Sequence, residues 1–494
     1  MEPKASRTLL KSILLLVILI GSIISVSSGF IGSYTIASLG MVSYPPEIFV
    51  TVDFSRMIAI NNLSLGYNLD YEWKIWLEND KYWQLSENAN FKLIRFFDSD
   101  IDGVSNENLM PCVYWNETTE TGVFNWTYVD ALVQRIHEVK AEPLICLGRS
   151  ISDPQSSIPP GITIDPNSGL PHAESYASYC AQWVMHFKAA GLAVRYYEVW
   201  NEPFFYFYNN WVYNETKLGF FLEMFNTCYK AMHNADDRIL VGNDASLYRK
   251  FLDYWAEHGG KLDFFDFHMY DCDGVSMDDS IPLIRAEQRF FETDSIWYGI
   301  SQARQVLNAD LPAVASECNF AATWENGTDP RIQQVVGSVW LALVLRMSVL
   351  SNVQYVTYYS FSSSKSWEQE TKETGGFGFG MVNQDDGQPW YPYYVLELIG
   401  NSLSLGDHVL YSNSSSDDVR SIVWIHSGRL YALLVCKVDA TRKVVLQDFP
   451  AQLNYSKIDN SISFQTPIVQ EGKINSANPL SFEGYTVILL ESAV

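Results

Sequence analysis

The chain has 494 residues, of which 47% are hydrophobic, 14% aromatic and 18% charged, too apolar and too lightly charged for a disordered polymer. Asp and Glu number 57 against 33 Lys and Arg, a formal net charge of −24, and so acidic a surface repels nucleic acid and anionic membranes. At roughly 100–200 residues per domain, the length predicts two or three domains.

Lys4, Arg7 and Lys11 precede an apolar run from Ile13 to Val26, and no charge falls between Ser12 and Pro46. A basic flank before an apolar stretch reads as an export signal, and about 20 apolar residues suffice to span a bilayer. No small-x-small cleavage site stands out. Residues 1–44 are therefore expected to form an N-terminal membrane anchor, with a cleaved signal peptide as the alternative, leaving the rest of the chain outside the cell. Seven N-x-Ser/Thr sequons (Asn62, Asn116, Asn125, Asn214, Asn326, Asn413 and Asn454) fit a glycosylated, exported protein. The seven cysteines show no metal-ligand spacing, and their odd number leaves at least one thiol free or paired between chains.

From about residue 60 to residue 400, short apolar β-type runs alternate with helical stretches. The strand candidates are Leu63–Asp70, Phe91–Asp98, Glu142–Gly148, Val194–Asn201, Arg238–Asn243, Phe265–Tyr270, Ala313–Glu317 and Val353–Phe361. Between them lie helix-like segments such as Tyr128–Lys140, Tyr176–Ala190, Leu218–Asn234, Ile296–Leu307 and Gln333–Val349. Eight such units predict an α/β fold, a (β/α)8 barrel over residues 45–403. A doubly wound open sheet is the alternative, but no Gly-rich nucleotide loop follows the first strand. Residues 404–494 change character: Val419–His426, Arg429–Val438, Lys443–Gln447, Ser461–Thr466 and Tyr485–Glu491 read as strands of a small β-sandwich. Ile48–Phe54 alternates too and is a candidate extra strand, while Ser412–Asp418 reads as a polar loop.

In a (β/α)8 barrel the active site lies at the C-terminal ends of the strands. Two carboxylates end apolar strands there. Glu202 closes the fourth in Val199-Trp200-Asn201-Glu202-Pro203, and Glu317 closes the seventh in Val314-Ala315-Ser316-Glu317-Cys318. Glycoside hydrolysis needs such a pair, with one carboxylic acid protonating the leaving oxygen while the other carboxylate attacks the anomeric carbon. The two roles require separated pKa values. Arg95 on strand two, with His268 and Tyr270 on strand six, are candidate donors to the pair or the substrate, and Asn201 is placed to bond a sugar 2-hydroxyl.

The Trp-Asn-Glu-Pro segment, with a Glu ending strand seven, resembles the glycoside hydrolases of clan A, most closely family 39, the β-xylosidase and α-L-iduronidase family. Phe124–Asp130 leading to Glu142-Pro143-Leu144, Asp263–Tyr270, Gly375–Gly380 and Pro389–Tyr394 support the likeness in order along the chain. The resemblance implies a retaining β-glycosidase with Glu202 as general acid/base and Glu317 as nucleophile. It also implies that Tyr270 bonds the nucleophile and Asn201 the sugar, and it calls for no metal or organic cofactor. Four positions depart from the family pattern. Phe204 follows the Pro, Cys318 follows the nucleophile, Phe97 stands where a His is usual, and Tyr359 occupies the place of the strand-eight Trp. The chemistry therefore transfers better than the sugar specificity. An endo-acting β-glucanase or mannanase, and a non-catalytic cell-surface carbohydrate-binding protein, are the rival readings. Asp271, Asp273, Asp278 and Asp279 lack the spacing of a calcium loop and read as a solvated loop. Cys318 reads as a packing residue. The aromatic run Phe204–Trp211, with Trp324 and Trp367, offers stacking faces for sugar rings.

Overall fold

The computed structural model describes residues 47–69, 73–98, 110–148, 158–209, 212–244, 249–290, 296–308, 310–322, 328–363, 378–463 and 467–493. The expected anchor at 1–44 lies outside the described residues, as do Trp211, Trp324 and Trp367. Among the described residues no helix is long and apolar enough to cross a membrane.

The eight segments read as barrel strands are the strands of one parallel sheet: β1 (Ser64–Asn68), β2 (Leu93–Phe97), β3 (Glu142–Leu147), β4 (Tyr196–Val199), β5 (Leu240–Gly242), β6 (Phe265–Cys272), β7 (Ala313–Ala321) and β8 (Tyr355–Tyr358). Consecutive strands pair, and β8 returns to β1 in parallel register, Tyr355 opposite Ser64. The seam between β5 and β6 is closed by a parallel bridge from Asp244 to Asp266 and by the Asp263 N–H donating to the Val241 carbonyl at 2.9 Å.

Strand side chains alternate faces with a period of two, and this sets the barrel interior in layers. The lowest is apolar, a buried cluster of Leu93, Leu144, Tyr196, Phe264 and Val314. Two residues further along the same strands come Arg95, Cys146, Glu198, Asp266 and Ser316, all buried. The interior thus changes from oil to ions in one step. Aliphatic and aromatic side chains on the outward faces pack under the surrounding helices in the main core.

The helix Val335–Leu350 is apolar on every side (VVGSVWLALVLRMSVL), with only Arg346 and Leu350 short of full burial. It has no solvent face because a second sheet covers it, in contact with three strands of that sheet. Those are β10 (Val419–His426), β11 (Arg429–Cys436) and β16 (Thr486–Ala493), and the sheet also contains β9 (His408–Ser414), β12 (Thr441–Gln447), β13 (Gln452–Asp459), β14 (Gln470–Asn475), β15 (Leu480–Glu483) and the leading strand Glu47–Ile60. The leading strand runs antiparallel to β9 and parallel to β12. The expected sandwich is therefore one hydrogen-bonded sheet of nine strands. It closes on its own apolar face, where Val50, Val419, Leu434, Val444, Phe482 and Leu490 share a buried cluster.

Two boundaries need correction. The expected loop Ser412–Asp418 begins inside β9, and Ser461–Ser463 lie after β13 rather than in a strand, with 464–466 outside the described residues. β13, β14 and β15 escape a sequence reading because polar residues interrupt their alternation; β14 (QEGKIN) has no fully buried position.

An ionic clamp joins the barrel to the sheet. Glu287, on the barrel helix Ser280–Gln288, accepts from Lys437 Nζ at 2.6 Å and Arg420 Nε at 2.7 Å, and lies 3.5 Å from Arg346. All four side chains are at least three-quarters covered. Removing the carboxylate leaves three cations facing one another, with Arg420 alone keeping a carboxylate partner, Asp417, among the described residues. Glu287→Ala is expected to cost about 2–4 kcal/mol, the scale of a broken buried pair, read as a lower melting temperature; a change within error would show the clamp to be energetically idle.

Candidate active site

The loop after β4 places the first carboxylate. Trp200 N–H donates to the Leu147 carbonyl at 2.7 Å and Asn201 N–H to the Gly148 carbonyl at 2.9 Å, which extends pairing with β3 beyond the strand. Trp200 and Glu202 both have positive φ, 74° and 49°, a conformation costing about 1–3 kcal/mol at a non-glycine residue. Packing holds it. The Trp200 indole is fully buried, with Tyr176 edge-on at 5.5 Å. Gly148 must be glycine, because a Cβ there would lie 2.4 Å from the Tyr176 hydroxyl and 2.7 Å from the indole. The result turns the Glu202 carboxyl into the barrel mouth, 31% exposed.

A β-bulge places the second carboxylate. Along β6 and β7, Phe267 is opposite Ala315 but His268 is opposite Glu317, so Ser316 is skipped. Strict alternation would point Ser316 inward and Glu317 outward; the extra residue re-aims the glutamate into the barrel. There Glu317 Oε1 accepts from Arg95 Nη1 at 2.7 Å and Oε2 from the Tyr270 hydroxyl at 2.6 Å.

Arg95, expected at the rim, is instead wholly buried in the polar layer. Its Nε donates to Glu198 at 2.7 Å, Nη1 to Asn68 at 3.0 Å as well as to Glu317, and Nη2 to Asn201 Oδ1 at 2.7 Å. The Phe97 ring, where a His is usual, lies 4.9 Å from the guanidinium. Arg95 thus orients the site from below and is shielded from substrate. Burial opposes its charge, but Glu198 and Glu317 hold it firmly protonated. Glu198 in turn remains ionised against its own burial, chiefly through Arg95, while burial and Glu198 together push neighbouring Asp266 far up into its neutral form.

His268 stands between the glutamates. Its Nδ1 donates to Glu202 Oε1 at 3.1 Å and lies 3.5 Å from both Glu317 Oε2 and Asp244 Oδ2. Burial disfavours the imidazolium, but Asp244, Glu317 and Glu202 outweigh it and raise the group to about 9. Burial pulls the Glu202 carboxyl upward, and the His268 hydrogen bond and charge override that and hold it below the usual range. Asp244 is pushed up to about 7, by burial first and then by the surrounding carboxylates, against the pull of His268.

The remaining sequence candidates also converge. Asn201 sits beside Glu202 with its Oδ1 taken by Arg95. Tyr359, just beyond β8, is held by its N–H donating to the Cys318 carbonyl at 3.0 Å and by Asn319 Nδ2, and its ring centroid is 6.5 Å from that of Tyr270. Cys318 faces away from the mouth, fully buried. All seven cysteines are buried thiols without disulfides. The Asp271 loop is not simply solvated. Asp271 is buried and accepts from Trp340 Nε1 at 2.7 Å and from Arg289, while Asp273 pairs with Arg285. Phe205 is exposed at the mouth side of the Phe204–Phe207 turn.

Three ionisable residues were not picked from sequence: Glu198, Asp266 and Asp244. The first two interrupt otherwise apolar strands at inward positions, and Asp244 directly follows strand five, so the rule that found Glu202 and Glu317 would have found it. Glu202, Asp244 and His268 bring ligand-type atoms within 4.8 Å of one another, a set able to hold a divalent cation. Their mutual hydrogen bond and ion pair, however, already satisfy the imidazole nitrogen.

The imidazolium makes stability pH-dependent. An unfolded histidine titrates near 6.5, so the folded state holds the extra proton up to about 9. Its stabilisation is full below about pH 6.5 and disappears as pH rises through 9. Thermal melts are expected to fall across that window in the native protein and to fall less steeply in His268→Asn; parallel curves would contradict the assignment.

The sequence profile of the glycosyl hydrolases family 39 matches residues 65–431. No curated protein sequence matches the chain. Among solved structures it is similar to a monomeric β-xylosidase from Caulobacter crescentus CB15, with 16% identity over 90% of this chain and 99% of that one and a TM-score of 0.60. A family 39 enzyme from Xanthomonas axonopodis pv. citri matches at 16% identity over 92% and 99%, with a TM-score of 0.60. An α-L-arabinofuranosidase from Thermotoga maritima matches at 13% identity over 91% and 100%, with a TM-score of 0.62. At these identities the structures show a shared fold, while the profile spans most of the chain and both carboxylates: the protein is a glycoside hydrolase of family 39.

Proposed function

We propose that the enzyme hydrolyses β-linked oligo- or polysaccharides, in the manner of a β-xylosidase, with retention of anomeric configuration. One observation carries the stereochemistry. His268 Nδ1 is 3.1 Å from a Glu202 oxygen and 3.5 Å from a Glu317 oxygen, which keeps the two carboxylates close. Retaining enzymes hold theirs ~5–5.5 Å apart, whereas inverting enzymes need ~6.5–9.5 Å to seat a water.

The roles follow from the partners. Glu317 is tied to a permanent cation below and a tyrosine hydroxyl beside it, so its carboxylate is held and aimed, as a nucleophile must be. Glu202 is the more exposed carboxyl, at the mouth where a leaving group departs. In the first step Glu317 attacks the anomeric carbon, the glycosidic C–O bond breaks, and Glu202 gives its proton to the departing oxygen. In the second, Glu202 takes a proton from water, whose oxygen displaces Glu317 from the sugar. Asn201, oriented through Arg95, keeps its amide N–H groups for a sugar hydroxyl. The likeness to β-xylosidase structures supports a pentose-sized glycone, and the α-L-arabinofuranosidase likeness makes that sugar the second to test.

The N-terminal run, read as an export signal, fits the same reading, since polymeric glycans lie outside the cell. The charge-free N-terminal run points to a membrane-tethered or secreted enzyme. Among the described sequons, Asn62, Asn125, Asn214, Asn413 and Asn454 are exposed and Asn116 is half-buried.

Incubation with 2-deoxy-2-fluoro xylosyl and arabinosyl inactivators is expected to give a covalent adduct that peptide mass spectrometry maps to Glu317. An adduct on another residue, or inversion seen by NMR of the first-formed product, would overturn the mechanism. Glu202→Gln and Glu317→Gln are each expected to lose about 10²–10⁴-fold or more in kcat. Tyr270→Phe removes one hydrogen bond to a charged nucleophile and is expected to cost ~10–100-fold in kcat/KM. On a xylo-oligosaccharide ladder, monosaccharide release from one end marks exo action, and mid-chain products would favour the glucanase- or mannanase-like alternative.

A further inference from the structure

The hydrogen bond and charge of His268 favour the basic form of Glu202, yet the first chemical step needs it protonated. The contacts around His268 offer a way through. Nδ1 carries a single N–H, and three carboxylate oxygens surround it: Glu202 at 3.1 Å, Asp244 at 3.5 Å and Glu317 at 3.5 Å. Glu317 already accepts a hydrogen bond on each oxygen, from Arg95 and from Tyr270. Asp244 does not. Its side chain is nine-tenths buried, and it accepts no hydrogen bond from any described residue, the imidazole being its nearest cation. Burying a carboxylate without a donor is costly, so its place at the end of β5, beside the acid/base, calls for a reason.

We propose that Asp244 is a positioning residue, the alternative acceptor to which His268 turns its Nδ1–H when Glu202 carries the catalytic proton. With the N–H directed at Asp244, Glu202 loses its stabilising donor, keeps its proton and presents it to the glycosidic oxygen. Once that proton has gone to the leaving group, the N–H returns to Glu202 and supports it as the base that activates water. No proton is gained or lost by His268 in the cycle; only its hydrogen bond changes partner. The groups facing Asp244 are consistent with this. His268 from β6 attracts it, and Glu202 beyond β4, Glu317 from β7, Glu198 from β4 and Asp266 from β6 repel it, so among the described residues the imidazolium is the one partner it can use. This inference rests on the retaining mechanism proposed above and assigns the part of it that lets one carboxyl serve as acid and then base.

Asp244→Asn keeps the shape and removes the charge that competes for the imidazolium. The variant is expected to shift the alkaline limb of kcat/KM to lower pH by about one unit or more, the usual effect of one neighbouring charge. On glycosides with poor leaving groups its kcat/KM at pH 7 is expected to fall ~10–100-fold. Aryl glycosides with nitrophenol-type leaving groups need little proton donation, so their glycosylation rate is expected to change less than about threefold. Asp244→Glu should restore part of the pH profile. An unshifted profile, or an equal loss on both leaving-group classes, would overturn the proposal and reduce Asp244 to a structural residue. A substrate-free readout separates this from failure of the mechanism itself: in ¹⁵N-histidine NMR of the folded protein, His268 should titrate at least about one pH unit lower in Asp244→Asn than in the native chain. Equal titrations would sink the proposal even if Glu317 labels as expected. A shifted titration without Glu317 labelling would sustain the contact and place the fault in the retaining reading.

Discussion

A guanidinium with no access to water sits in the middle of this barrel, and its need for counter-charge organises everything above it. Arg95 cannot lose its proton, and leaving a buried ion unpaired costs several kcal/mol. Glu198 and Glu317 answer that need from either side, while Asn68 and Asn201 each take one more of its donors. One rigid fork therefore positions Glu317, Asn201 beside Glu202, and the floor beneath both.

The acidic groups outnumber the cations in this layer, and the structure resolves the surplus by position. Glu198 touches Arg95 and stays charged, whereas Asp266, two strands away, is driven to its neutral form by burial and by Glu198. At the mouth a second imbalance remains, three carboxylates around one imidazolium. Deep in the barrel the excess is quenched permanently; at the mouth, where Glu202 meets solvent, it stays adjustable. A site that must give up and recover a proton within one turnover benefits from that difference.

Backbone geometry contributes as much as charge. Positive φ at Trp200 and Glu202, and the bulge at Ser316, are local departures from regular strand structure, and each turns a glutamate carboxylate of the site into the barrel. They persist because the surroundings are over-determined, with Trp200 clamped over Gly148 and β7 paired on both sides. Further out, the all-apolar helix Val335–Leu350 and the Glu287 clamp bind the barrel wall to the nine-stranded sheet, so the wall near β7 is braced from behind.

Much of this was legible in the chain itself. Eight apolar runs separated by helical segments specify a parallel barrel, because a strand buried on both faces must be continuously hydrophobic, and Glu202 and Glu317 reveal themselves as charges ending such runs. The pairing of Tyr270 with Glu317 also agreed with the family pattern. The nine-strand closure of the C-terminal sheet was not legible, since half-exposed strands such as Gln470–Asn475 carry little periodic signal. Nor was the true place of Arg95, because a charge near a strand end reads the same whether it faces solvent or the core. Only tertiary structure brings Asp244, His268, Glu202 and Glu317 around one nitrogen atom. The sequence determines which residues end the strands and so which can reach the mouth. Bulges, left-handed turns and the demand that every buried charge find a partner decide which of them meet, because those depend on neighbours that are distant in the chain.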